Sequence, residues 1–161
     1  MVIKKRYIGC KEVEGLTGNI IRHLQKDNIK ISAVIGIVRG GLTPAVMVSH
    51  YYDVPLHILD YSLRDRNDAQ EFTDADKFMI QKASVGTVLV IDDINDSGDT
   101  LQAVGDMIKD IVIDDKNFIY ATLLEKCTSR FDCDYYGEMI TDDRTDEWIV
   151  FPWEDWWTNK D

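Results

Sequence analysis

In the run Val88-Leu89-Val90-Ile91-Asp92-Asp93-Ile94-Asn95-Asp96-Ser97-Gly98-Asp99-Thr100, an apolar stretch gives way to paired acids, then to Asp96, then to a small polar turn. The four aliphatic residues fit a central strand covered on both faces, and the acids beyond them need partners if they are buried. A ligand's hydroxyls or a metal ion would serve. Ser97, Gly98, Asp99 and Thr100 bring hydroxyls, backbone N–H groups and a flexible glycine to the start of a helix, which suits a phosphate monoester. Taken together the run reads as a cradle for a sugar phosphate. Asp, Ser and Thr are also common at helix starts as caps. Capping alone does not explain why strand, acid pair, third acid and hydroxyl loop fall in register.

A second unit of the same kind lies upstream. The apolar run Ala33–Val38 ends at Arg39-Gly40-Gly41, and Thr43-Pro44 then opens a helix with proline in its first turn. Two glycines let backbone N–H groups approach phosphate oxygens, and Arg39 adds a charged donor; a tight strand-to-helix turn would use the same pair. The glycine spacing fits neither a dinucleotide-binding GxGxxG nor a P-loop.

These units need elements to hold them. Val13, Leu16, Ile20, Ile21 and Leu24 recur at helical spacing between Lys11 and Lys26. Further strands are expected over Pro55–Tyr61, Thr87–Ile91 and Phe118–Leu124, with a helix from about Leu101 to Ile111. Such alternation implies an α/β fold with a mainly parallel central sheet flanked by helices. Lys126 falls just past the last of these strands, at the sheet edge that carries the acid pair, where it could polarise a carbonyl oxygen or simply be a surface lysine beside Glu125. Between Tyr61 and Val85 lies a long connection whose stretch Ser62–Glu71 is polar and lacks strong periodicity, as expected of a disordered insertion or an active-site lid. The end of the chain crowds Trp148, Trp153, Trp156 and Trp157 among acids. Such rings can stack on a planar heterocycle, plug a core or fill a subunit interface.

A chain of 161 residues is long enough for one domain with a substantial core, expected to span 1–161. Hydrophobic content of 45% and charged content of 29% are those of a soluble globular protein, without a segment able to cross a bilayer or a signal-peptide core after Lys4-Lys5-Arg6. A cytoplasmic protein is expected. Cys10, Cys127 and Cys133 are odd in number and lack CxxC spacing, which predicts reduced thiols. The net charge of −11 argues against nucleic acid as a partner. It also means that an anionic sugar phosphate would need a divalent cation, magnesium, together with local basic residues.

Val88–Thr100 resembles the phosphoribosyl-diphosphate motif of the type I phosphoribosyltransferases, and Val38-Arg39-Gly40-Gly41 resembles their diphosphate loop. Lys126 and the segment Asp146-Glu147-Trp148-Ile149 narrow the resemblance to the 6-oxopurine salvage branch, and within it to the short bacterial xanthine-guanine enzymes. It runs from the first helix to about Trp153. The resemblance implies a small C-terminal hood over the base at about 134–161 and a mobile loop at about 62–85. Asp92 and Asp93 would hold the ribose hydroxyls, with Asp93 also near Mg2+; Ser97, Gly98, Asp99 and Thr100 would bind the 5′-phosphate. Val38, Arg39, Gly40 and Gly41 would take the diphosphate. Asp96 would face the purine N7 and Lys126 the 6-oxo group, the Trp148 ring would cover the base, and the Ile149 carbonyl would accept from a 2-amino group. Phosphoribosyl diphosphate and guanine, xanthine or hypoxanthine would be the substrates, in a homodimer or homotetramer. Two departures stand out: Ser62-Leu63 where the family has Ser-Tyr, and Val150 where an acid is usual. The same sugar site could serve another base, or a non-catalytic nucleotide sensor.

Overall fold

The computed structural model describes residues 4–61 and 71–157. Its elements run β1 (Lys5–Tyr7), α1 (Cys10–Lys26), β2 (Ile31–Val38), α2 (Leu42–Tyr52), β3 (Leu56–Asp60), α3 (Asp74–Ala83), β4 (Thr87–Asn95), α4 (Asp99–Ile111), β5 (Phe118–Lys126), β6 (Tyr135–Ile140) and β7 (Trp148–Val150). Strands pair in the order β3-β2-β4-β5-β6, all parallel, so the two glycine turns leave neighbouring strands β2 and β4 at the same sheet edge.

Side-chain alternation across the pleat explains why the central strands are apolar throughout. Val34, Leu89, Ile91, Ala121 and Leu123 pack with Val13, Leu16, Ile20 and Leu24 of α1 and with Ala45 and Val48 of α2. Ile35, Ile37, Val88 and Val90 face the opposite way, onto Ile80 of α3 and Leu101, Val104 and Ile108 of α4. The sheet is thus sandwiched between two helical layers. No described helix is long and apolar enough to cross a membrane.

Several boundaries differ from those expected. β4 continues through Asp92 and Asp93 to Asn95, because its backbone stays paired with β5 to the register Asn95↔Glu125. Lys126 is likewise the last residue of β5 rather than one beyond it. Residues 74–83, expected as insertion or lid, form α3, held at its start by a capping box in which Thr73 Oγ1 accepts from the Asp76 backbone N–H and Asp76 accepts from the Thr73 N–H. Residues 62–70, including Ser62-Leu63, lie outside the described residues. The segment expected as a hood divides between two sheets: β6 is the edge strand of the main sheet, and β7 pairs in parallel with β1 in a separate two-stranded sheet. That small sheet is tied down by Arg6, whose guanidinium donates to both oxygens of Glu138 at 2.9 and 3.0 Å and to Glu12 at 2.6 Å.

Candidate active site

A cleft of about 810 Å³ opens at the carboxyl ends of β2 and β4. Ligand crevices of parallel α/β sheets lie at that edge. Its wall contains Val38, Arg39 and Gly40 from the first turn, and Asp92, Asp93, Asp96, Ser97, Gly98, Asp99 and Thr100 from the second. The two loops singled out in the sequence therefore share one cavity.

Their approach is close. A Cβ added at Gly40 would lie 1.9 Å from Asp93 Oδ2 and 2.2 Å from its Cγ, so the Asp93 carboxylate rests directly on the glycine. Gly41 is enclosed by backbone instead, with Ile91 O at 2.3 Å and Ile37 O at 2.7 Å from the same notional atom. The Val38–Arg39 peptide bond is cis. Burial, and then the neighbouring Asp93 carboxylate, push the Asp92 carboxyl well above the usual carboxylate range. Such a pair favours hydroxyl donors or a cation. Among the described residues no group of three or more His, Cys, Asp or Glu side chains forms a metal cage. A hard divalent cation here would take one or two carboxylates and complete its shell with substrate oxygens and water, the usual habit of magnesium.

Beyond β4 the chain turns sharply at Gly98, whose φ of +89° is a left-handed conformation that favours glycine. α4 then begins at Asp99 without a side-chain cap, and its first-turn N–H groups carry the positive end of the helix dipole. Ser97 Oγ donates to Asp99 Oδ2 at 2.8 Å.

The register Asn95↔Glu125 makes the next residues, Asp96 and Lys126, neighbours across the end of the sheet. Lys126 Nζ and Asp96 Oδ1 are 2.7 Å apart; the lysine side chain is only 10% exposed, the aspartate 40%. Next to this pair in sequence lies a buried polar network. Asn95 Nδ2 donates to Glu125 Oε1 at 2.8 Å and to the Phe131 carbonyl at 2.5 Å, and Thr122 Oγ1 donates to Glu125 Oε2 at 3.2 Å. Burial raises the Glu125 carboxyl, with these donors partly offsetting it. An acid raised in the fold contributes stability below its unfolded value and loses it as pH rises through the folded one. Glu125→Gln, which keeps the oxygen that faces Asn95, is therefore expected to melt with the native chain at pH 4, below the ordinary glutamate value of 4.5, and to melt about 2–4 °C higher than the native chain at pH 8. A lower melting temperature at pH 8 would show that the ionised form is the one the network favours.

Trp148 and Ile149 form the start of β7, the tryptophan half exposed and the isoleucine buried. Neither they nor Lys126 is among the residues lining the cleft; Trp153, Glu154 and Trp157 are. Trp153 stacks on Phe151 with centroids 4.8 Å apart and ring planes 6° from parallel, while Trp156 meets Trp157 edge to face. The aromatic tail is plain in the sequence, but tryptophan type alone does not say which ring turns toward a cavity. Glu154, whose carboxylate accepts from the Phe151 N–H at 2.8 Å, has no sequence signal of its own.

Residues 3–155 match the family model described as "Phosphoribosyl transferase domain". The chain is 31% identical to xanthine-guanine phosphoribosyltransferase of Cereibacter sphaeroides over 132 residues, covering 80% of this chain and 72% of that one. It is also 31% identical to the enzyme of the same name from Nitratidesulfovibrio vulgaris, over 83% and 74% of the two chains. Among solved structures, a purine phosphoribosyltransferase from Pyrococcus horikoshii superposes with a TM-score of 0.68 at 28% identity, covering 93% of this chain and 94% of the other. The Helicobacter pylori xanthine-guanine-hypoxanthine phosphoribosyltransferase has the same fold, with a TM-score of 0.68 at 23% identity over 96% and 97%. A parallel sheet whose two glycine turns meet at an acid pair, matched along nearly its whole length by one domain family, places this chain in the phosphoribosyltransferase family.

Proposed function

We propose that the chain transfers ribose 5-phosphate from phosphoribosyl diphosphate to N9 of a 6-oxopurine, with guanine, xanthine and hypoxanthine as the acceptors. The bond from C1′ to the diphosphate oxygen breaks, a C1′–N9 bond forms, the purine gives up a proton, and diphosphate leaves. The observation that carries this reading is the convergence of Val38, Arg39 and Gly40 of the first turn, the Asp92-Asp93 pair and the Ser97–Thr100 loop in one cleft, with Asp96, the ion-pair partner of Lys126, in its wall.

The carbohydrate end has the fuller complement of groups. Ser97, Gly98, Asp99 and Thr100 receive the 5′-phosphate, and Asp92 and Asp93 accept hydrogen bonds from the ribose hydroxyls. Arg39 and the N–H groups of its turn meet the diphosphate, where negative charge grows as C1′ becomes oxocarbenium-like. Magnesium, held at Asp93 and by substrate oxygens, supplies further charge stabilisation when bound. Asp96 takes the purine proton at N7 and Lys126 offsets charge at the 6-oxo group. Trp148 covers the ring and the Ile149 carbonyl reads a 2-amino group, which requires the hood strand to meet the base from outside the present cleft wall. The xanthine-guanine names of the curated relatives support this choice of acceptor.

The test is product formation from phosphoribosyl diphosphate and magnesium with each of guanine, xanthine, hypoxanthine, adenine, uracil and orotate, followed as nucleotide and released diphosphate. Turnover with the 6-oxopurines alone is the expected result. Turnover with another base would leave the sugar site standing and remove the roles given to Lys126, Trp148 and Ile149.

A further inference from the structure

The phosphate loop of this chain contains an acid at Asp99, and a dianion seated among Ser97, Gly98 and Thr100 would lie beside its carboxylate. Like charge at such a distance weakens binding unless something neutralises it. The structure supplies the neutralising group from a part of the chain with no assigned role. The Arg130 guanidinium pairs with Asp99 Oδ1, while Asp99 Oδ2 is engaged by the Ser97 hydroxyl.

Arg130 does not reach Asp99 by chance of a long side chain, because the turn that carries it is fixed to the phosphate loop through its backbone. The Arg130 N–H donates to the Ser97 carbonyl at 3.1 Å. Ser129 Oγ donates to Asn95 Oδ1 at 2.9 Å, and Asn95, only 1% exposed, donates in turn to the Phe131 carbonyl. Contact is tight enough that a Cβ at Gly98 would lie 2.6 Å from the Phe131 nitrogen and 2.8 Å from Ser129 Oγ. The turn after β5 and the turn after β4 are therefore one assembly, built on buried polar groups.

We infer that Arg130 is a positioning residue for the 5′-phosphate: it neutralises Asp99 and holds that carboxylate against the Ser97 hydroxyl, so that the α4 N–H groups can meet the phosphate. The inference rests on the phosphoribosyl reading of the cleft and extends it to a residue outside the motif. The pair is exposed, with side chains 76% and 49% accessible, so its part in global stability is small and its effect should emerge in ligand binding.

Ribose 5-phosphate and inorganic diphosphate with magnesium serve as the probes, titrated calorimetrically into the native chain, Arg130→Gln, Asp99→Asn and the double variant. Arg130→Gln should weaken ribose 5-phosphate about tenfold and diphosphate less than about twofold, with an unchanged melting temperature. In the Asp99→Asn background the same arginine change should cost less than about threefold, since the charge it answers is gone. Arg130→Gln binding ribose 5-phosphate as well as the native chain would overturn the inference, as would equal weakening of both probes. An arginine change that costs as much in the Asp99→Asn background as in the native chain would also overturn it, because the arginine would then be acting without Asp99. If the native chain binds neither probe, the phosphoribosyl reading fails and this inference fails with it. If the native chain binds both, that reading stands and the Arg130→Gln comparison alone decides the role of the arginine.

Discussion

Asp96→Asn is expected to lower turnover of a 6-oxopurine by about 10²- to 10⁴-fold while shifting affinity for phosphoribosyl diphosphate by less than about threefold. The substitution keeps the shape of the side chain and a carbonyl oxygen for Lys126, which sits 2.7 Å away and is largely buried. It removes the group proposed to accept the purine proton, a role that matters as the C1′–N9 bond forms and not while the sugar donor binds. The comparison with Lys126→Met sharpens the test, because that change removes the cation proposed to answer charge on the 6-oxo group and takes away the Lys126–Asp96 ion pair. If the two act as a unit on the base, the double variant should be little worse than the more damaging single one. Single-turnover rates with saturating donor separate chemistry from binding. Equal losses in turnover and donor affinity for Asp96→Asn would mean that the residue builds the sugar site, and the proton-transfer role would be abandoned.

The parts of this molecule legible in the sequence are those in which local pattern and tertiary role coincide. Val13, Leu16, Ile20, Ile21 and Leu24 mark α1 at helical spacing and all five are buried. The apolar runs of β2, β4 and β5 are continuous because each strand is covered on both faces, so they read as strands from composition alone. The two glycine turns are legible because phosphate chemistry needs short polar loops at strand ends. α3 is hidden for a physical reason: Ile80 is its one buried residue, so its amphipathic stripe is nearly absent, and the capping box is closed by Asp76 in place of the more usual Glu or Gln. β6 does not read as part of the main sheet because five of its six residues are only half buried at the sheet edge. β1 and β7, three residues each, are too short to show a period and depend on each other for pairing. Distances across the site are beyond the reach of the sequence altogether. Spacing brings Asp96 and Lys126 to one edge, but only the β4–β5 register makes them an ion pair, and nothing near Arg130 announces that its turn folds onto the phosphate loop.

The second large effect is expected at Gly40. Gly40→Ala should lower kcat/KM by at least about 100-fold, the scale of loss that follows an error of about 1 Å in a reacting group's placement. The new methyl would occupy the space of the Asp93 carboxylate, 1.9 Å from Oδ2, and the acid must swing aside. That displacement removes the side chain proposed to hold both a ribose hydroxyl and magnesium. The magnesium dependence should shift with it: half-saturation should require a higher magnesium concentration, and excess magnesium should recover part of the lost rate. Folding should be spared, since the atoms in the way belong to a side chain that can rotate. Gly41→Ala is the contrasting variant, because its methyl would meet the backbone oxygens of Ile91 and Ile37, at 2.3 and 2.7 Å, and neither can move without disturbing β4 or β2. It should lose thermal stability as well as activity. Measured side by side, melting temperature and magnesium titration distinguish a site that has lost its acid from a sheet that has lost its packing. A Gly40→Ala chain with native magnesium dependence and native turnover would show that Asp93 holds neither the ribose nor the ion from this position.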